Sequence, residues 1–247
     1  MTELSVEVPG RAAGYELLSL AFLYPESGTS PWLTEKAGEV ASLASELGRK
    51  EVVRAAARVS DHFAHVSDAS LVEQYIDLFG HSVSGDCPQY EAEYEDAGIF
   101  QQTRTLVDLS AFYKAFGVQA SEDVKERWDH ISIEMEFMQL LVIKEAYARE
   151  NGHGEDKVRL CRDAQEAFLR DHLATWVNSF IRRASRKAGA ESAYGLLVGL
   201  LKAHLDTEFN DFQIKSAPSH QLILPQADVD DLNCEECPVM TASEQGG

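Results

Sequence analysis

Leu78-Phe79-Gly80-His81-Ser82-Val83-Ser84-Gly85-Asp86-Cys87-Pro88-Gln89-Tyr90-Glu91-Ala92-Glu93-Tyr94 is the stretch on which the reading of the chain turns. The apolar segment Tyr75-Ile76-Asp77-Leu78-Phe79 is the end of a helix, stopped at Gly80. It runs into a long loop dense in glycine, proline, aromatics and carboxylates. Loops of this length are uncommon inside compact helical proteins, and they usually carry function. Its counterpart is Asp129-His130-Ile131-Ser132-Ile133-Glu134-Met135-Glu136-Phe137-Met138, which opens a later helix.

Outward from the loop, the chain reads as amphipathic helix in both directions. Towards the N-terminus, Val72, Tyr75, Leu78 and Phe79 form one apolar face, capped by Ser67 or Asp68. Val52, Val53, Ala56, Val59 and Phe63 form another. Ser30-Pro31 reads as the start of a helix carrying Trp32, Val40, Leu43 and Leu47. The first helix spans about Arg11 to Tyr24 and is stopped by Pro25. Residues 1–10 are expected to be a flexible arm. Towards the C-terminus, helices are expected over Phe100 to Phe116, from about Asp129 to Asn151, from Glu155 to Lys187 with a bend near Asp171, and from Ser192 to Phe209. No period-two strand run and no repeat is evident. The expected fold is all-α: one helical bundle of about eight or more helices over residues 11–212, followed by an acidic tail, 213–247.

Composition narrows the function. The chain has 247 residues and is 45% hydrophobic, enough for a sizeable core. No apolar run reaches the roughly 18 residues of a membrane span. Tyr15 to Tyr24 carries Glu16 and lacks a small-residue cleavage site, so it reads as a helix and the protein as cytoplasmic. The formal charge of −19 disfavours nucleic acid and anionic lipid as partners. It suits a cationic partner, and equally a surface that is acidic for solubility.

The motif search is mostly negative. No phosphate-loop, dinucleotide or serine-hydrolase motif is present. Cys234-Glu235-Glu236-Cys237 offers half of a tetrahedral metal site, or a redox pair. Only Cys87 and His220 are available to complete it, so a mobile acidic tail is the plainer reading. His130 and Glu134 lie one helical turn apart, but nothing in the sequence supplies further ligands. No cofactor is expected. The loop is different. Pro88, Tyr90, Glu91, Glu93 and Tyr94 combine ring faces with carboxylates, the chemistry that receives a guanidinium. The same residues also suit a structural loop with inward tyrosines and solvated glutamates.

Leu78-Phe79-Gly80-His81, Gly85 to Tyr94, Asp129-His130 and Glu134 to Met138 resemble the TorD/DmsD/NarJ chaperones of molybdenum oxidoreductases. Leu17 to Pro25, and Phe168 with His172-Leu173 and Trp176, are similar to further parts of that family. The likeness spans about Arg11 to Asp211 and is greatest to the chaperones of type II dimethyl-sulfoxide-reductase-like enzymes. It implies an all-helical protein that is not an enzyme. Its partner would be the apo catalytic subunit, bound at a twin-arginine leader before cofactor insertion and export. Monomer and homodimer are both compatible with it. In the family, the motifs matching Leu78, Phe79, Pro88, Tyr90, Asp129 and His130 are tied to leader binding. Some members of that family carry proline where this chain has Gln89, and a proline often precedes the Asp-His pair, where this chain has Trp128. The carboxylates Glu91, Glu93, Asp129 and Glu134, with Tyr94, complete the expected surface, on which Leu78 and Phe79 take the apolar part of the leader.

Overall fold

A computed structural model describes residues 4–80, 85–94, 99–118 and 126–215. Four helices precede the loop: α1 (Leu4–Ala21), α2 (Thr29–Glu46), α3 (Lys50–Phe63) and α4 (Asp68–Phe79). Five follow it: α5 (Ile99–Ala115), α6 (Ile131–Glu150), α7 (Glu155–Phe168), α8 (Ala174–Ala188) and α9 (Ala193–Asp211). α7 and α8 form one continuous rod through a π-helical turn, Leu169–Leu173, at the position of the expected bend. The protein is all-α. Among the described residues, β pairing is confined to an isolated antiparallel bridge between Tyr90 and His130.

Packing follows the apolar stripes. α1 lies against α2, α6 and α9, α3 lies against α2 and α9, and α8 lies against α9 and α4. Leu17 and Leu18 of α1, Phe22 just beyond it, and Leu197, Val198 and Leu201 of α9 belong to one continuous core. Each such side chain contributes about 1.5–3 kcal/mol when fully buried. An aromatic cluster closes the core beside the loop. The Phe79 ring stacks on Phe180 at 6.3 Å and meets Tyr194 edge-on at 5.4 Å.

Three boundaries differ from the sequence reading. α1 begins at Leu4 rather than Arg11, with Pro9 inside it, so the expected N-terminal arm is helical from that point. Pro9 forgoes a single backbone bond near the helix start. Packing compensates: Val8 lies on the core, and Gly10 leaves room for Leu43 and Leu47 of α2. Ser30 does not cap α2. Its hydroxyl donates inward to the Val66 carbonyl at 2.7 Å, and the Asp68 carboxylate accepts from Gly28 N at 2.7 Å and Ser30 N at 2.8 Å. The start of α4 therefore caps the start of α2, while Ser67 caps α4 itself. At the far end, packing continues past residue 212. Ile214 N bonds the Phe209 carbonyl, and the Phe212 ring lies under the Arg11 and Arg162 guanidiniums. Cys234 and Cys237 lie outside the described residues.

A buried ion pair ties α1 to α9. Arg11 donates to Glu208 through Nε at 3.0 Å and Nη2 at 2.7 Å, and Tyr15 donates to the same carboxylate at 3.0 Å. Gln165 bridges Arg11 Nη2 to Glu145 with bonds of 2.7 Å on both sides. Burial alone would raise the Glu208 carboxyl, but Arg11 outweighs it and holds the group at about 2. A folded-state pKa below the unfolded value stabilises the protein above the unfolded pKa, and that stability fades as pH falls from about 4.5 towards 2. Glu208→Gln should cost roughly 2–4 kcal/mol near neutral pH, because buried Arg11 loses its nearest counter-charge and keeps only the more distant Glu145, at 3.9 Å. Urea unfolding of parent and variant should show the gap narrowing on acidification; a gap independent of pH would exclude the ion pair as its source.

Candidate functional site

The loop is held down by its own backbone. Ile131 N donates to the Gln89 carbonyl at 2.9 Å, and Glu91 N donates to the Asp129 carbonyl at 2.9 Å, making the bridge between Tyr90 and His130. Two side chains reinforce it. The Asp129 carboxylate accepts from Ala92 N at 3.1 Å, within the 3₁₀ turn Glu91–Glu93. Gln89 reaches into the core, accepting from the Tyr75 hydroxyl at 2.9 Å and donating to the Phe22 carbonyl at 2.7 Å. The loop is thereby tied to α1, α4 and the start of α6. The Gln89 side chain is the anchor of this bonding.

His130 caps α6 with its imidazole: Nδ1 accepts from Ser132 N at 3.2 Å, so its proton sits on Nε2. Burial, with a smaller contribution from Arg127, lowers its pKa to about 3 against the opposing Asp129 charge. Beneath the loop, Glu91 faces His172 Nδ1 at 3.1 Å. The π-helical turn carries His172, placing its ring beside Phe112 and Phe168. Glu134 accepts from Trp176 Nε1 at 3.2 Å. Burial first, then the Glu91 and Asp129 charges, raise the Glu134 carboxyl well above 4.5. Its Oε1 is buried without a hydrogen-bond partner, beside the charges that favour the neutral carboxyl.

A guanidinium occupies the aromatic and acidic part of the loop, and it belongs to the chain. Arg127 Nε and Nη2 grip Asp129 at 2.6 and 2.8 Å, and Nη2 reaches Glu93 at 3.3 Å. The Arg127 Cζ lies 4.7 Å from the centre of the Tyr90 ring. Arg183 stands over the Tyr94 ring in the same way, at 4.8 Å. The Tyr90 hydroxyl donates to Glu126 at 2.7 Å, and burial together with that bond raises its pKa.

The ten expected site residues therefore gather around one feature, the loop and the helix it rests on, but most are directed inward. Leu78 and Phe79 are core residues between α4, α8 and α9, and do not form an open apolar groove. Glu91, Asp129, His130 and Glu134 are at most 1% exposed, so they support the surface from below. Pro88 and Tyr94 are buried, with the Tyr94 hydroxyl donating to the Pro88 carbonyl at 2.8 Å. Tyr90 and Glu93 are partly exposed. No group of three or more His, Cys, Asp and Glu residues suited to a metal occurs among the described residues. The sequence reading passed over Arg127 and Glu126 entirely, and nothing in their spacing marks them. His172 entered the sequence reading only through the family resemblance; the structure adds that it lies on the π-helical turn, a feature frequent at functional sites.

The sequence profile of the nitrate reductase delta subunit family matches residues 41–182. The chain belongs to that family. It is 30% identical to the selenate reductase assembly chaperone protein of Thauera selenatis over 194 residues, 78% of this chain and 86% of that protein. It is 26% identical to the chlorate reductase assembly chaperone protein of Ideonella dechloratans, again over 78% of this chain and 86% of that protein. A TorD chaperone of Vibrio cholerae is 28% identical over 56% of this chain and 59% of its own length. The matched region contains Gln89, Arg127, Glu134 and Trp176, while Phe22 and Arg183 fall outside it.

Glu134 gives a test of this buried arrangement. A folded-state pKa above the unfolded one means that stability, full below the unfolded pKa, declines as pH rises through the folded pKa. Glu134→Gln keeps an acceptor for Trp176 without titrating. It should melt higher than the parent at about pH 8, and the two should converge near pH 4, in melting curves followed by circular dichroism. A variant less stable than the parent at about pH 8 would mean that the carboxylate is ionised and needed.

Proposed function

We propose that this protein is a cytoplasmic assembly chaperone, without catalytic activity, for the catalytic subunit of a molybdenum reductase of the type II dimethyl-sulfoxide-reductase group. It holds the apo subunit while cofactor is inserted, and engages the twin-arginine leader before export. Relatives named as assembly chaperones of selenate and chlorate reductases support the general role. The leader-binding part rests on one observation: the loop displays a tyrosine face beside carboxylates in a guanidinium-binding arrangement, as shown by the arginine it already holds. Tyr24 adds an exposed ring next to Tyr75, which anchors the same loop. No described helix is long and apolar enough to cross a membrane.

Co-expression tests the role. The catalytic subunit of a molybdenum reductase should co-purify with this chain in its apo form, and its molybdenum content should fall several-fold when the chain is omitted. Unchanged molybdenum content together with no complex would remove the chaperone reading. Equal capture of a leaderless subunit would retain the chaperone and discard the leader.

The accessible residues test the surface. Tyr90→Ala should weaken binding of a twin-arginine peptide by about 0.5–2 kcal/mol at all salt concentrations. Glu93→Gln should weaken it by roughly 0.2–1 kcal/mol, an effect that shrinks with added salt. Titration calorimetry at low and high salt measures this, with both substitutions made in an Arg127→Ala background so that the chain's own guanidinium does not compete for the same groups; equal affinities would place the peptide elsewhere.

A further inference from the structure

We propose that Arg127 is a built-in stand-in for the partner's arginine: client binding exchanges one guanidinium for another in the receptor formed by Tyr90, Glu93 and Asp129. This rests on the leader-binding reading and specifies how that site operates. Arg127 makes the contacts expected of an arginine ligand. It presents a two-pronged fork to one carboxylate, a third bond to another, and its flat face to a ring.

The receptor is assembled by bonds that do not involve Arg127. Asp129 is fixed by Ala92 N through its carboxylate and by Glu91 N through its carbonyl. Tyr90 is fixed by Glu126 at its hydroxyl and packs against His130. Removing the Arg127 side chain thus leaves a ring and carboxylates already in position. Accessibility points the same way. The Asp129 side chain is 0% exposed and that of Arg127 35%, so the guanidinium is the cover over the carboxylate. An arriving cation gains Asp129 only as Arg127 leaves.

Exchange of like for like has two consequences. A carboxylate in this position is never left buried without a counter-charge, which would be strongly unfavourable. A tethered competitor also sets a threshold. Arg127 acts at the millimolar effective concentration of a short tether, so a lone arginine competes poorly. A segment that brings a second cation or an apolar stretch has the extra affinity to displace it. Lysine, lacking the fork and the flat face, is a weak substitute.

The first experiment needs no client. Arg127→Ala in the full chain should gain thermal stability from millimolar methylguanidinium but not from methylammonium, while the parent gains from neither. Absence of a selective gain overturns the proposal. The second uses a twin-arginine peptide and its Lys-Lys counterpart. Arg127→Ala should bind the arginine peptide about tenfold more tightly than the parent, and keep the preference for arginine. If methylguanidinium stabilises the variant but both proteins bind the peptide equally, exchange is wrong and leader binding stands at another site. If neither protein binds the peptide, exchange and leader binding both fall, while co-purification of the apo subunit still decides the chaperone role. Should Arg127→Ala fail to fold, Arg127→Lys keeps the charge on Asp129 and gives up fork and stacking. It should then bind the arginine peptide several-fold more tightly than the parent, and unchanged or weaker binding overturns the proposal.

Discussion

Asp129 is the point on which the loop depends. Its carbonyl takes Glu91 N, its carboxylate takes Ala92 N, and Arg127 neutralises the remaining charge. It is fully buried immediately before α6. A buried carboxylate is tolerable only with such partners, since desolvation costs several kcal/mol. The constraint runs in both directions. The loop must fold onto α6 to satisfy Asp129, and Asp129 must be present for the 3₁₀ turn Glu91–Glu93 to keep its amide donor paired. Gln89 then extends the same bonding into the core at Tyr75 and Phe22.

The helices were legible because their information is local. Apolar residues at helical spacing, serines at Ser67 and Ser192, and glycines at helix ends with positive φ identify the elements with little ambiguity. The errors lie where another element overrides a local rule. Pro9 suggests a break, yet α1 continues because Gly10 lets it approach α2 closely. Ser30 suggests a cap, yet Asp68 from a distant part of the chain takes that role. Residue 213 suggested the start of a tail, yet Ile214 still packs on the core.

At the site, residue types were legible and directions were not. Tyrosines and carboxylates in one short loop do announce guanidinium chemistry. Whether Glu91 or Asp129 faces outward depends on partners far away in sequence: His172 for one, and the loop's own backbone for the other. Glu134 is hidden because Trp176 reaches it from α8. A single sequence contains no periodic signal for such pairings. The burial of so many polar groups in one place adds little net stability, because desolvation opposes each new bond. Its effect is on register: any other placement of the loop leaves several of these groups unpaired.

The register is read from the other side by one face of the rod formed by α7, the π turn and α8. His172 meets Glu91, Trp176 meets Glu134, Arg183 covers Tyr94 and Lys187 lies near Asp86. These four residues fall at helical spacing, so a single stripe follows the loop from its 3₁₀ turn back towards its beginning. The π turn matters to this alignment because it admits one additional residue, and each residue in an α-helix advances the face by about 100°. Phe168, on the α7 side, is packed against Phe112, Tyr113 and Phe137. Trp176, on the α8 side, is packed against Tyr94 and Phe180. A regular helix of the same length could satisfy one of those aromatic groups only by rotating the other out of contact. With the turn in place both are filled, and His172, carried on the turn itself, is directed at the loop. The irregular helix and the irregular loop are therefore mutually required features of the same structure.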